Sequence, residues 1–202
     1  IQEGIGLDRL LGDARVTSAK LTDGTQIDVD FVICGVGITP TDDLAAKAGV
    51  EIENGIKTNA FGQTSDPHIW AAGDCASFPA DGEQRRLESV QNAIDQAELV
   101  AENLRGAGKA YDPKPWFWSD QYDVKLQIAG LNTGFTRVVI RAGDKEGATS
   151  HWYYIGERLV AVDAMNDPRA YMVGKRLIEA GKHPSPDTVA APDTDLKSLL
   201  KA

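Results

Sequence analysis

Thr64 to Ala76 reads TSDPHIWAAGDCA, and the fold turns on what its second half does. His68-Ile69-Trp70-Ala71-Ala72 is short and apolar and follows the turn residues Ser65-Asp66-Pro67, so it reads as a buried strand. Gly73-Asp74 then stands where that strand should end. A carboxylate at the carboxyl end of a strand either caps the next helix or holds a ligand hydroxyl. The stretch by itself leaves both readings open.

Upstream of it the chain is β-rich. Val16 to Leu21, a turn at Thr22-Asp23-Gly24-Thr25, and Gln26 to Val29 predict a hairpin. Phe31-Val32-Ile33-Cys34 is a continuous apolar run, the pattern of a strand covered on both faces in an α/β sheet. It runs into Gly35-Val36-Gly37, where two glycines allow close backbone approach, and Pro40 stops any helix. A short helix over 42–48, capped by Thr41 and closed by Gly49, comes next, then a hairpin turn at Asn54-Gly55.

Downstream, a long helix begins near Ser89. Val90, Ala93, Ile94, Ala97, Val100, Ala101 and Leu104 share one face at i, i+3, i+4 spacing, and Gly106 and Gly108 end it. The linker Tyr111-Asp112-Pro113-Lys114-Pro115 introduces a different region. There Val124 to Ile128, Arg137 to Arg141, Trp152 to Ile155 and Leu159 to Val162 predict four strands at meander spacing, and 169–180 predicts a helix. The proline-bearing tail reads as loose as far as Leu196.

Composition bounds the function. The 202 residues are 42% hydrophobic and 25% charged, an ordinary globular balance. No apolar run approaches the ~20 residues that span a bilayer, and no signal peptide opens the chain. The net charge of −9 argues against a nucleic-acid or anionic-membrane surface. Cys34 and Cys75 form no CxxC and no metal spacing, which fits free thiols in a reducing cytoplasm. His68, His151 and His183 are scattered, with no metal-ligand or triad pattern. Ile1, not Met, begins the sequence close to a strand, which reads as a piece of a longer polypeptide.

Four strings in order, VICGVGITP, TSDPHIWAAGDCA, RRLESVQNAIDQA and PWFWSDQYDVKLQIAGL, resemble the FAD-dependent, NADH-oxidising ferredoxin reductases of oxygenase electron-transfer chains. The resemblance covers nearly the whole chain, and PWFWSDQ is its most specific part. It implies an α/β portion followed by an α+β portion, the C-terminal part of a flavoprotein with two dinucleotide domains. Residues 1–40 would end an NAD-binding domain, 41–110 would be the returning segment of an FAD-binding domain, and 111–202 would be an interface domain of β-meander and helix. The glycine-rich GxGxxG fingerprints of both dinucleotide domains are missing from the sequence, so the reductase would be the longer protein and this piece alone would be inactive.

The same resemblance implies roles. Asp74 would accept a hydrogen bond from a ribitol hydroxyl of FAD, with Gly73 admitting the flavin chain. The backbone of Ser89 and Val90, at a helix N-terminus with unpaired N–H groups, would support the flavin's N1–C2 carbonyl edge. Glu88 would sit near the nicotinamide carboxamide; as a residue by itself it is equally a solvated charge. Gly35 and Gly37 would admit the nicotinamide or simply serve a chain crossing. Trp118 would lie by the flavin towards the ferredoxin, with Trp116 and Phe117 as core. The implied partners are NADH and a [2Fe-2S] ferredoxin, with a weak homodimer besides. Arg137, Arg141, Lys175, Arg176 and Lys182 are candidates for a basic patch that would dock an acidic ferredoxin. Two other readings stand beside this one. A disulfide reductase would carry an HPxxxE pair, and His183-Pro184 lacks the glutamate. A pure binding or dimerisation module remains the reading of another class.

Overall fold

The structure is a computed structural model that describes residues 1–80 and 82–201. The chain divides into two compact units, residues 1–39 and 40–202. In the first, β1 (Leu7–Leu11), β2 (Ser18–Leu21) and β3 (Gln26–Asp28) form an antiparallel sheet in the order β1-β2-β3. The β2–β3 turn forms where the sequence places it. The Asp23 carboxylate accepts from the Thr25 N–H and hydroxyl, both at 2.9 Å.

The run Phe31 to Cys34 is not a strand. It joins no sheet, and Phe31 and Ile33 are 72% and 85% exposed. An apolar run holds a strand conformation only when neighbours complete its ladder and cover its faces, and the first unit supplies none.

The second unit opens with α1 (Asp43–Lys47) and β4 (Ile56–Lys57). The helix is flanked by Asp42, without a side-chain cap, so Thr41 does not serve as one. Asn54 and Gly55 both take positive φ, 51° and 109°, as a tight reversing turn requires. The hairpin predicted there shrinks to one bridge, Ile52 to Ile56, because β4 pairs in parallel with β5 (Ala76–Ala80), which pairs with β6 (Glu83–Arg85).

The predicted strand His68–Ala72 is likewise absent. Its residues bond locally, Thr64 N–H to the Ile69 carbonyl and Ala71 N–H to the Gly62 carbonyl, with a single bridge from Trp70 to Gln63.

α2 (Val90–Leu104) starts and stops as the sequence predicts, but its buried face is a different one. Val90, Ile94 and Leu104 are 62%, 47% and 60% exposed, while Asn92, Gln96, Val100 and Asn103 are buried. The buried amides satisfy loop backbone that has no sheet partner. Asn103 donates to the Phe61 and Lys109 carbonyls at 2.9 and 2.8 Å and accepts from the Lys109 N–H at 2.8 Å. Of the apolar stripe that periodicity assigns to the core, Val100 alone is buried, and its ends at Val90, Ile94 and Leu104 form an open surface.

The remaining strands are β7 (Trp116–Gln121), β8 (Val124–Gly130), β9 (Arg137–Ala142), β10 (Thr149–Ile155) and β11 (Arg158–Met165). They form one antiparallel sheet in the order β7-β8-β11-β10-β9. It is therefore not a simple meander: β9, β10 and β11 follow one another, and β8 then pairs with the far side of β11. The WFWSDQ string adds an edge strand to the four predicted.

α3 (Pro168–Glu179) packs on one face, with Trp152, Val162 and Leu177 at its fully buried centre. Asp167 caps it, accepting from the Ala170 N–H at 3.0 Å. Gly174 lets the helix sit down on β11, since a Cβ there would lie 2.6 Å from Val162 Cγ2. Gly174→Ala is therefore expected to destabilise the chain by about 1–3 kcal/mol through overpacking, read as a lowered urea midpoint at unchanged slope.

The tail is not loose. α4 (Pro186–Ala190) and a 3₁₀ turn at Leu196–Leu200 bring Val189, Leu196 and Leu199 into the same core.

Candidate functional site

The site is built on the Gly73–Asp74 turn and the start of α2. Gly73 has φ +81°, a conformation that favours glycine, and the Ala76 N–H to Gly73 carbonyl bond at 2.9 Å closes the turn. Gln96 holds it on the helix by accepting from the Gly73 N–H at 2.8 Å. A strand, β5, follows the turn, so Asp74 is not a helix cap. Its side chain is exposed and has no hydrogen-bond or ionic partner among the described residues.

Ser89 is the residue that caps α2. Its backbone is extended, and its hydroxyl accepts from the Asn92 N–H at 3.1 Å. The Ser89 carbonyl takes the Ala93 N–H. The N–H groups of Val90 and Gln91 have no acceptor among the described residues and mark the positive end of a 15-residue helix dipole.

Arg86, which sequence reasoning passed over, ties these pieces together. Its guanidinium donates to the Asp74 carbonyl, to Glu88 Oε1 at 2.7 Å and to Asn54 Oδ1 at 3.3 Å. Its side chain is 8% exposed. Gly55 leaves the room: a Cβ there would fall 2.7 Å from Arg86 Cδ. Glu88 is thus neither a free acceptor nor a simply solvated charge. One carboxylate oxygen is engaged by Arg86, and the side chain is 42% exposed.

Tyr111 anchors the linker to the same helix end. Its hydroxyl donates to Asn92 Oδ1 at 2.8 Å, while Asn92 donates to the Leu87 carbonyl at 2.9 Å. Burial, with a smaller effect from the Asp95 charge, pushes the Tyr111 hydroxyl up to about 12, so it stays a donor across the physiological range. A narrow recess bordered by Leu87, Ser89, Gln91 and Trp116 links the helix start to β7. Trp116 lies with its ring 5.4 Å from that of Trp118, which is 46% exposed. Lys175 sits 6.0 Å above the Trp116 ring.

Gly73, Asp74, Glu88, Ser89 and Val90 therefore belong to one locked assembly, with Trp118 one ring beyond the recess. Gly35 and Gly37 lie in the first unit, on irregular, exposed backbone. An opening of about 970 Å³ between the β5–β6 hairpin, the linker and the end of α3 is lined by none of Gly73, Asp74, Glu88, Ser89, Val90 or Trp118.

The expected basic patch is largely engaged elsewhere. Arg137 pairs with Asp187 at 2.7 Å, Arg141 binds four tail carbonyls, Lys175 pairs with Glu179 at 2.9 Å, and Lys182 donates to the Leu200 carbonyl at 2.9 Å. Neither the Arg86 anchor nor the amides of α2 follows from hydrophobic periodicity. The one available signal is the second helical stripe made by Asn92, Gln96 and Asn103.

Loss of the cap is a modest, local test of this assembly. Ser89→Ala is expected to cost about 1 kcal/mol, seen as a lower thermal midpoint with faster hydrogen exchange confined to the first turn of α2.

Among known proteins, the Reductase C-terminal family matches residues 116–200, and the Pyridine nucleotide-disulphide oxidoreductase family matches residues 2–97. Rhodocoxin reductase of Rhodococcus erythropolis is 39% identical over 190 residues, 93% of this chain and 44% of that protein. Putidaredoxin reductase CamA of Pseudomonas putida is 37% identical over 199 residues, 98% of this chain and 47% of that protein. A ferredoxin reductase crystal structure from Rhodopseudomonas palustris superimposes with a TM-score of 0.90 at 41% identity, over 96% of this chain and 49% of that one. The reductase of a covalent putidaredoxin reductase–putidaredoxin complex matches with a TM-score of 0.89 at 35% identity, over 98% of this chain and 49% of the other. The chain spans about half the length of the curated relatives it matches. Among the described residues no helix is long and apolar enough to cross a membrane. Two family matches laid end to end, and relatives that align from one end of the chain to the other, lead to one assignment: it belongs to the ferredoxin reductase family of the pyridine nucleotide-disulphide oxidoreductases.

Proposed function

We propose that the chain is the flavin-covering and ferredoxin-facing part of a cytoplasmic reductase that carries electrons from NADH through FAD to a [2Fe-2S] ferredoxin. Residues 1–40 belong to its NAD-binding domain, 41–110 to its FAD-binding domain and 111–202 to its interface domain. The observation that carries the reading is the unpartnered Asp74 carboxylate and the open N–H groups of Val90 and Gln91, set on one rigid frame by Arg86 and Gln96.

The residues fit FAD. Asp74 offers several lone pairs to a polyol, and the seated Gly73 turn keeps that carboxylate in place. The helix end offers two donors and a positive field where a flavin gathers negative charge. Bound there, FAD would supply hydride acceptance and one-electron release. The protein's part is to orient the ring, keep water from it and hold charge beside it. Glu88 keeps one carboxylate oxygen for the nicotinamide amide, with Arg86 fixing its direction. Gly35 and Gly37, on the exposed backbone of the first unit, would either admit the nicotinamide or serve the chain crossing. Trp118 lays an exposed, polarizable ring between this site and the docked ferredoxin.

The disulfide-reductase alternative is disfavoured. Ser185 follows His183-Pro184 and caps α4, and no glutamate lies at HPxxxE spacing.

The test is made in the full-length enzyme. Trp118→Ala is expected to slow ferredoxin reduction by about tenfold, roughly 1.4 kcal/mol of barrier, while NADH oxidation by a small soluble acceptor stays near wild type. Equal loss with both acceptors would move Trp118 from the electron exit to the flavin's support. No loss with either would sink the assignment.

A further inference from the structure

The opening beside the linker carries a charge balance opposite to that of the chain. Its volume, about 970 Å³, falls within the roughly 300–1,000 Å³ of small-molecule clefts. The chain has 21 Lys and Arg against 30 Asp and Glu. The cleft is lined by Arg85, Lys114, Arg158 and Lys175 against Asp112 and Glu179. Two of these cations are matched within the wall, Lys114 by Asp112 at 2.8 Å and Lys175 by Glu179 at 2.9 Å. Arg158 is not. It opens β11, is exposed, and has no hydrogen-bond or ionic partner among the described residues.

The rest of the wall is largely apolar. Tyr111 lines it, backed by the buried Phe78 edge to face at 5.1 Å, and its hydroxyl is already engaged by Asn92. Ile155, Leu159 and Ile178 line it too, and Ile155 lies directly across the β10–β11 turn from Arg158. The linker prolines Pro113 and Pro115 bring no N–H to this wall.

We propose that this cleft binds a small aromatic carboxylate, with its ring in the apolar wall and its carboxylate on the Arg158 guanidinium. Each part of the wall excludes a different competitor. A guanidinium fork takes a carboxylate through two parallel hydrogen bonds, and a neutral ring gives it no anion to hold. A compact inorganic anion loses its hydration against apolar walls without return. Leu87 and Tyr111 belong to the cleft and also to the frame of α2, since Asn92 donates to the Leu87 carbonyl and accepts from the Tyr111 hydroxyl. An occupant therefore braces the linker against the helix start. None of Gly73, Asp74, Glu88, Ser89, Val90 or Trp118 lines the cleft, so the proposal stands or falls apart from the reductase reading.

Calorimetric titration of the FAD-loaded full-length enzyme with 2-naphthoate tests it. The expected result is a single site that 2-naphthamide fills at least about tenfold more weakly, for want of the charge-assisted contact, and that inorganic phosphate does not fill. Arg158→Gln removes the charge at an exposed residue with no partner to lose. Ile155→Asp sets a carboxylate across from that arginine. Each should weaken 2-naphthoate by at least about tenfold while FAD content and NADH oxidation stay unchanged. Hydrogen exchange over residues 109–116 should slow when 2-naphthoate is bound. An absence of binding overturns the proposal, as does equal binding of the amide or of phosphate, or an affinity that neither variant changes. Displacement by NAD would assign the acid to the nicotinamide site, and displacement by ferredoxin would make the cleft part of a protein-docking surface. Either result also overturns it.

Discussion

Replacing Arg141 by methionine should release the C-terminal tail and cost about 3 kcal/mol or more. The guanidinium reaches from β9 into the tail and donates to four carbonyls: Val189 at 2.9 Å, Ala191 at 2.7 Å, Pro192 at 3.1 Å and Thr194 at 2.7 Å. These carbonyls lie in the last turn of α4 and between it and the 3₁₀ turn, and Ala191 also accepts from the Thr194 N–H at 3.1 Å. Methionine keeps much of the side chain's apolar body and removes every donor. The loss does not stay local, because Val189, Leu196 and Leu199 reach the Trp152 core only while the tail is held. The expected outcome is a reduced unfolding free energy together with fast hydrogen exchange over residues 186–200. Arg141→Lys should fall between the two, since one ammonium cannot match a planar fork aimed at four acceptors. Arg137 provides the contrast. Its ion pair with Asp187 is half-exposed on one side and almost fully exposed on the other, 48% and 86%, so Arg137→Met should shift stability by no more than about 0.5 kcal/mol. Equal effects at the two arginines would refute the distinction.

The second large effect concerns the cofactor. In full-length enzyme, Asp74→Ala should weaken FAD retention roughly ten- to a hundredfold, the equivalent of one charge-assisted hydrogen bond at about 1.5–3 kcal/mol. The fold should survive. The Asp74 side chain touches no other described group, and the turn is held by backbone and by Gln96 and Arg86. Flavin fluorescence released on dilution measures the affinity, and circular dichroism confirms the fold. Asp74→Asn should retain part of the binding through its carbonyl oxygen. Unchanged retention in the alanine variant would leave the carboxylate without a role at the flavin.

The structure also separates two kinds of apolar surface. The stripe of α2 at Val90, Ile94 and Leu104 and the run at Phe31 and Ile33 were legible as core and are exposed. Both carry the pattern of segments that bury against other chain. The relatives are about twice as long as this one, which accounts for a burial signal that 202 residues do not satisfy.

What the sequence determined by itself is local. Capping and periodicity mark the limits of α2 and α3 within a residue or two, because Ser89 and the residues near Asp167 must satisfy helix N–H groups whatever surrounds them. The β2–β3 turn follows from Asp23-Gly24 for the same kind of reason. The motifs TSDPHIWAAGDCA and PWFWSDQ carry the family, since each concentrates unusual residues at fixed spacing. Only the tertiary structure decided the rest. Whether 31–34 and 68–72 are strands depends on partners that no local signal encodes. The sheet order β7-β8-β11-β10-β9 arises because β8 pairs with β11 rather than with the next strand in sequence. Periodicity weighs hydrophobicity, whereas the buried side of α2 is chosen by carbonyls and N–H groups that need Asn92, Gln96 and Asn103. Arg86 and Arg141 look like surface charges in one dimension. In three they are the fixtures of a turn and of a tail, because a guanidinium can hold several acceptors at once where the backbone has no ladder to join.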